Sequence, residues 1–205
     1  DSITHDFFAN IQGLLDATHN NLSYVFTSAR SLDYIEPNIF TRQEVLVFSD
    51  NVYIKPAKKA DTQIIFESSI KKYGLKLNKK TVKELLRLVK GHTQYLLFAL
   101  ISIRESNPNI KPNELFEFLK NDERISLQSE ELWESLTVVE QEILLKVIAK
   151  KKLTNDEIKE SEYLINTGFF DPKTLKIFSP ILDYFVKTKE EETKKAKNTT
   201  DFSKK

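Results

Sequence analysis

Between Asn78 and Gly91 the apolar residues Val82, Leu85, Leu86 and Val89 fall at i, i+3, i+4 and i+7, and this spacing constrains the chain more than any other feature. It is the stripe of a helix that keeps one face in a core. Asn78 is placed to cap its start and Gly91 to end it. A similar period recurs over 60–73 and 93–106, and Pro112 stands at the start of a further helix predicted over 113–121. Residues 57–126 therefore read as a small all-α bundle.

A different order follows in residues 127–187. Helices are predicted over 130–136 and 138–149, with Thr137 and Glu140 at capping-box spacing, and Thr154 and Glu157 repeat that pattern. A helix over 160–167 is stopped by Gly168. Phe169 and Phe170, a turn at 171–174 and the run 175–178 then form a hairpin, and 180–186 is a closing helix. Helices, hairpin and closing helix in this order predict a winged-helix domain. From residue 188 the chain is rich in Lys, Glu and Thr, so 188–205 is expected to be a disordered polar tail.

The first 56 residues have another character. A helix is predicted over 5–18, from the spacing of Phe7, Phe8, Ile11, Leu14 and Leu15. The run LSYVFT at 22–27 is β-branched and aromatic and predicts a buried parallel strand, and 51–55 predicts a second, stopped by Pro56. Residues 31–48 are mixed. The predicted fold is mainly α: a remnant of an α/β core over 1–56, then the helical bundle and the winged helix.

Charge and composition exclude several functions. Thirty-one Lys plus Arg against 30 Asp plus Glu leave a formal charge of +1, so the whole chain exerts no pull on nucleic acid or an anionic membrane. There is no cysteine, and His5, His19 and His92 lie far apart, which argues against a disulfide framework or a zinc site. The four glycines are isolated and form no phosphate-binding loop. The longest apolar stretch, near 95–103, is far below the ~20 residues of a membrane span, and no secretory signal is visible. A cytoplasmic location is expected. The chain starts at Asp1 and contains no methionine, which suggests a piece of a longer protein.

Taken in order, LSYVFTSAR (22–30), VYIKP (52–56), LVKGHTQYLL (88–97), GFF (168–170) and IFSPI (177–181) resemble the downstream part of STAND-type signalling ATPases, relatives of AAA+ proteins. The resemblance covers residues 1 to about 187 and implies a P-loop core end (1–56), a helical lid (57–126) and a winged helix (127–187). It also implies ATP and Mg in the parent protein and an oligomer there. Arg30, with Thr27 and Ser28, matches the sensor position that reaches the terminal phosphate, at the strand end where α/β sheets bind ligands. Gly91 and His92 match the lid motif beside adenine, although Thr93 stands where that family usually has proline. No catalytic residue and no metal ligand is assigned. Without a phosphate cradle this chain alone is expected to bind no cofactor and to be inactive, its partner being a P-loop core or another protein domain. A winged-helix adaptor using Lys150, Lys151 and Lys152 on nucleic acid is the alternative, opposed by the acidic stretch at 155–162; a protein-interaction scaffold is a third.

Overall fold

A computed structural model describes residues 5–19, 21–35 and 49–202, and these are mainly α-helical. Two compact units divide the chain, Asp1–Val52 and Tyr53–Lys205.

In the first unit, α1 (His5–Ala17) forms as the apolar spacing predicts and buries Ile11, while Phe7 and Leu14 stay exposed. A short α2 (Leu32–Ile35) follows, and the rest of the mixed segment, 36–48, lies outside the described residues. Neither predicted strand forms. Residues 21–28 and 49–58 belong to no helix or ladder, and Val25, Val52 and Ile54 are 90%, 86% and 88% exposed. β-branched and aromatic residues suit a pleated surface, but a strand exists only against a partner whose N–H and C=O groups it can use. Among the described residues no such partner lies beside 22–27 or 51–55.

The second unit holds the remaining elements. These are α3 (Lys59–Tyr73), α4 (Lys79–Val89), α5 (Thr93–Ser106), α6 (Leu115–Lys120), α7 (Glu123–Glu134), α8 (Val138–Ile148), α9 (Asn155–Glu160), α10 (Glu162–Asn166), β1 (Phe170–Asp171), β2 (Lys176–Ile177) and α11 (Pro180–Phe202). Local signals place most of them. The Asn78 side chain accepts from the Thr81 amide at 2.9 Å at the head of α4. Both capping boxes form: Thr137 with Glu140 opens α8, and Thr154 with Glu157 opens α9, each cap being worth about 1 kcal/mol. Gly168, at φ 78°, ends α10, and β1 pairs antiparallel with β2 through Phe170 opposite Ile177.

Three boundaries depart from expectation. Helix α7 starts at Glu123, capped by Asp122, and so runs through the predicted 126/127 domain border. The two blocks it joins share one continuous core, from Phe66 through Leu100 and Leu144 to Val186, and are parts of one compact unit. The expected disordered tail is the second correction, because α11 continues past residue 188 to Phe202. Its polar turns carry i,i+4 ion pairs, Lys187 with Asp183 at 2.5 Å and Lys194 with Glu190 at 2.7 Å, and Lys189 reaches Glu130 on α7 at 2.9 Å. Lys and Glu are good helix formers, and such pairs hold a helix that buries little. Residues 203–205 lie outside the described residues. Third, α4 ends one residue early, at Lys90 with φ 50°, and Gly91 follows at φ 89°. No described helix is long and apolar enough to cross a membrane.

Helices α3, α4 and α7 pack around α5, whose Tyr95, Leu96, Ala99, Leu100 and Ile103 have no exposed surface. Helix α11 closes over α4, α6 and α8.

Candidate functional site

The turn between α4 and α5 is the most constrained place in the helical unit. Two consecutive left-handed residues, Lys90 and Gly91, reverse the chain. Gly91 is buried, and its carbonyl accepts from the Ala57 amide at 2.9 Å. A Cβ at position 91 would lie 2.2 Å from the Ala57 carbonyl oxygen, so only glycine lets these two backbones meet.

Gly168 receives the same segment from another side. A Cβ there would lie 3.0 Å from Pro56 Cδ and 3.8 Å from Lys55 Cβ. Residues 55–57 therefore rest against two glycines that end helices in different halves of the unit. Thr62 adds a third tie, its hydroxyl donating to the Ala57 carbonyl at 3.1 Å and to the Lys58 carbonyl at 2.9 Å.

His92 follows Gly91 and caps α5. Its Nδ1 accepts from the Tyr95 amide at 3.3 Å, so one of the unpaired donors of the helix start is already used. The imidazole stacks on Phe178, with centroids 5.6 Å apart and planes at 17°, and lies 4.4 Å from the Tyr95 ring. Burial disfavours the charged imidazolium and brings the His92 pKa down to about 4. Burial likewise raises the Tyr95 phenol, whose hydroxyl hydrogen-bonds Ser129 Oγ at 2.7 Å. Next to Phe178, Ser179 donates to the Leu88 carbonyl at 2.8 Å and accepts from the Ile181 amide at 3.1 Å, which fastens the start of α11 to the end of α4.

These groups satisfy one another. The arrangement is a neutral joint at pH 7 that holds the hairpin, α4, α5 and residues 55–57 together. Ser129 and Ala57 lie outside every motif, and Tyr95, Gly168, Phe178 and Ser179 lie within motifs that assign them no role in a site. Gly168 is visible as a helix stop and within the GFF motif, but its contact with residues 55 and 56, like those that join Ser129 to Tyr95 and Ser179 to Leu88, is made far along the chain.

The other predicted positions are placed as follows. Thr27 and Ser28 are exposed in the irregular segment of the first unit, where Ser28 Oγ donates to the Arg30 carbonyl at 2.5 Å. Arg30 is half-buried and its guanidinium lies 5.1 Å from the centre of the Tyr34 ring. Lys150, at φ 54°, and Lys151 close the end of α8, the Lys151 amide donating to the Lys146 carbonyl at 2.9 Å, and Lys150, Lys151 and Lys152 are all exposed. In the acidic α9 beside them, Glu157 pairs with Lys146 of α8 and Asp156 with Lys159 of the same helix.

No glycine loop cradles a triphosphate in the sequence, and the His92 ring that would face adenine is committed to Tyr95 and Phe178. Comparison with known proteins finds no family model, no curated protein and no solved structure that matches the chain.

Proposed function

We propose that this chain is the helical regulatory module of an ATP-dependent switch of the STAND or AAA+ kind, acting on a P-loop core that holds the nucleotide. The observation that carries the reading is the docking of residues 55–57, immediately after the unit boundary at Val52, against Gly91 and Gly168. A module that reports the state of what precedes it needs a firm attachment at that point, and the backbone contact of Ala57 with Gly91 and the side-chain contacts of Pro56 and Lys55 with Gly168 provide one. Support also comes from the element order: α7, α8 and α9 with α10, then the β1–β2 hairpin and α11, follow the order of a winged helix.

The joint sharpens the proposal. His92 on Phe178 and Ser179 on Leu88 tie the lid-like and winged-helix-like halves, so the two act as one lever on the docked segment. In this reading α9, tied to α8 through Glu157 and Lys146, is a packing element. The sensor and lid residues Arg30, Thr27, Ser28, Gly91 and His92 meet nucleotide only through the partner core.

Calorimetric titration of the chain with Mg·ATP tests the reading. The expected result is no binding at micromolar nucleotide and no turnover. Micromolar affinity, or hydrolysis by the purified chain, would overturn it.

A further inference from the structure

The near-neutral total hides a strong local excess of positive charge. Residues 53–90 contain eleven Lys and Arg against three acids, a net +8 within a chain whose total is +1. All ten lysines among them are exposed. Helix α4 concentrates the effect. Its exposed face carries Lys79, Lys80, Lys83 and Arg87, with Lys90 at its end, while Thr81, Leu85, Leu88 and Val89 face the core.

This face works against the helix that carries it. The first turn has no acidic residue and holds Lys79 and Lys80 at the end where the helix dipole favours anions. Lys79 with Lys83, and Lys83 with Arg87, are like charges at i,i+4, a spacing that destabilises a helix. Glu84 is the one acid on α4, and it is taken by Arg87 at 2.6 Å. Among the described residues no carboxylate pairs with Lys79, Lys80, Lys83 or Lys90. Local rules broken together at one surface are expected where function has set the residues.

We infer that the exposed face of α4 binds the phosphate backbone of duplex nucleic acid without sequence preference. At 1.5 Å per residue the stripe from Lys79 to Lys90 is about 16 Å long, and a duplex strand presents a phosphate about every 3.4 Å, so several lysines engage at once. The chemistry of the face separates this partner from others. No large hydrophobic residue of α4 is exposed, whereas protein interfaces are anchored by buried aromatic and apolar groups and membrane-surface helices insert an apolar face. Arg87 is held by Glu84 and is not available to read a guanine edge, and no exposed aromatic ring on α4 offers a base a stacking platform. This surface is distinct from Lys150, Lys151 and Lys152.

The test is fluorescence anisotropy of a labelled duplex of about 20 base pairs, titrated with the chain between 50 and 200 mM salt. With about four lysines engaged, log K against log salt has a slope of about −3.6, and affinity falls about a hundredfold over that range. In a variant carrying Lys79→Ala, Lys83→Ala and Lys90→Ala the slope rises to about −1. The variant with Lys150→Ala, Lys151→Ala and Lys152→Ala keeps the original slope. All substituted side chains are exposed, and an unchanged helical circular-dichroism spectrum checks the fold of each variant. No binding at 50 mM salt, an unchanged slope in the α4 variant, or a loss confined to the 150–152 variant would each overturn the inference. So would tighter binding of polyglutamate or of phosphatidylserine vesicles than of the duplex.

Discussion

Gly91→Ala is expected to destabilise the helical unit by about 3 kcal/mol, the largest loss among the four glycines. An L-residue at a left-handed φ costs about 1–2 kcal/mol, and Gly91 stands at φ 89°. The new Cβ would also meet the Ala57 carbonyl oxygen at 2.2 Å and the Ala57 nitrogen at 3.0 Å, and both are backbone atoms. They can retreat only by breaking the hydrogen bond from Ala57 to the Gly91 carbonyl, worth about 1 kcal/mol. Gly74→Ala is the control. Gly74 is also left-handed, at φ 66°, but a Cβ there meets nothing within 4 Å, so only the conformational cost applies. Urea unfolding of the two variants compares them, and equal losses would show that the contact with Ala57 contributes nothing.

His92 sets the second large effect, a dependence of stability on pH. Its pKa falls from 6.5 to about 4 on folding because burial disfavours the imidazolium. Between those values the unfolded chain binds the proton that the folded chain refuses, so stability rises with pH there. The contribution is fully present above about pH 6.5 and is lost as pH falls toward 4, to a total of about 3 kcal/mol. His92→Asn separates this term from carboxylate titration, because asparagine also caps a helix but does not ionise. At pH 7 the variant lacks the stacking on Phe178 and is expected to be less stable by about 1 kcal/mol. At pH 4 the order reverses, the natural chain being the less stable by about 2 kcal/mol. Parallel stability curves from pH 4 to 7 would contradict the burial of a neutral imidazole.

What was legible in the sequence was local. Asn78, Thr137 with Glu140 and Thr154 with Glu157 announce helix starts within three residues of themselves, and all three caps form. The segments 22–27 and 51–55 have strand propensity but form no strand, because propensity says nothing about whether a partner is present. Helix α7 was begun too late because two of its core positions are polar, Gln128 and Ser129, so its period was hidden; Ser129 serves there as the partner of Tyr95. Low hydrophobicity alone does not make the tail disordered, because Lys189 with Glu192 and Lys194 with Glu190 pair at helical spacing. At the joint, Gly91 and His92 are visible as a helix boundary. Their roles depend on Ala57, Gly168 and Phe178, which no spacing rule connects to them. The lysine face of α4 was present in the sequence but averaged away in a net charge of +1.

The central claim is that the helical unit holds the segment following its boundary firmly enough to act on it. Amide hydrogen exchange of the intact chain at Ala57 tests this most directly. The Ala57 amide, bonded to Gly91, should exchange as slowly as the core amides of α5, while those of Val52 and Ile54, whose residues are 86% and 88% exposed, exchange at once. Exchange at Ala57 as fast as at Ile54 would mean that the segment is not held, and the lever would have nothing to pull on.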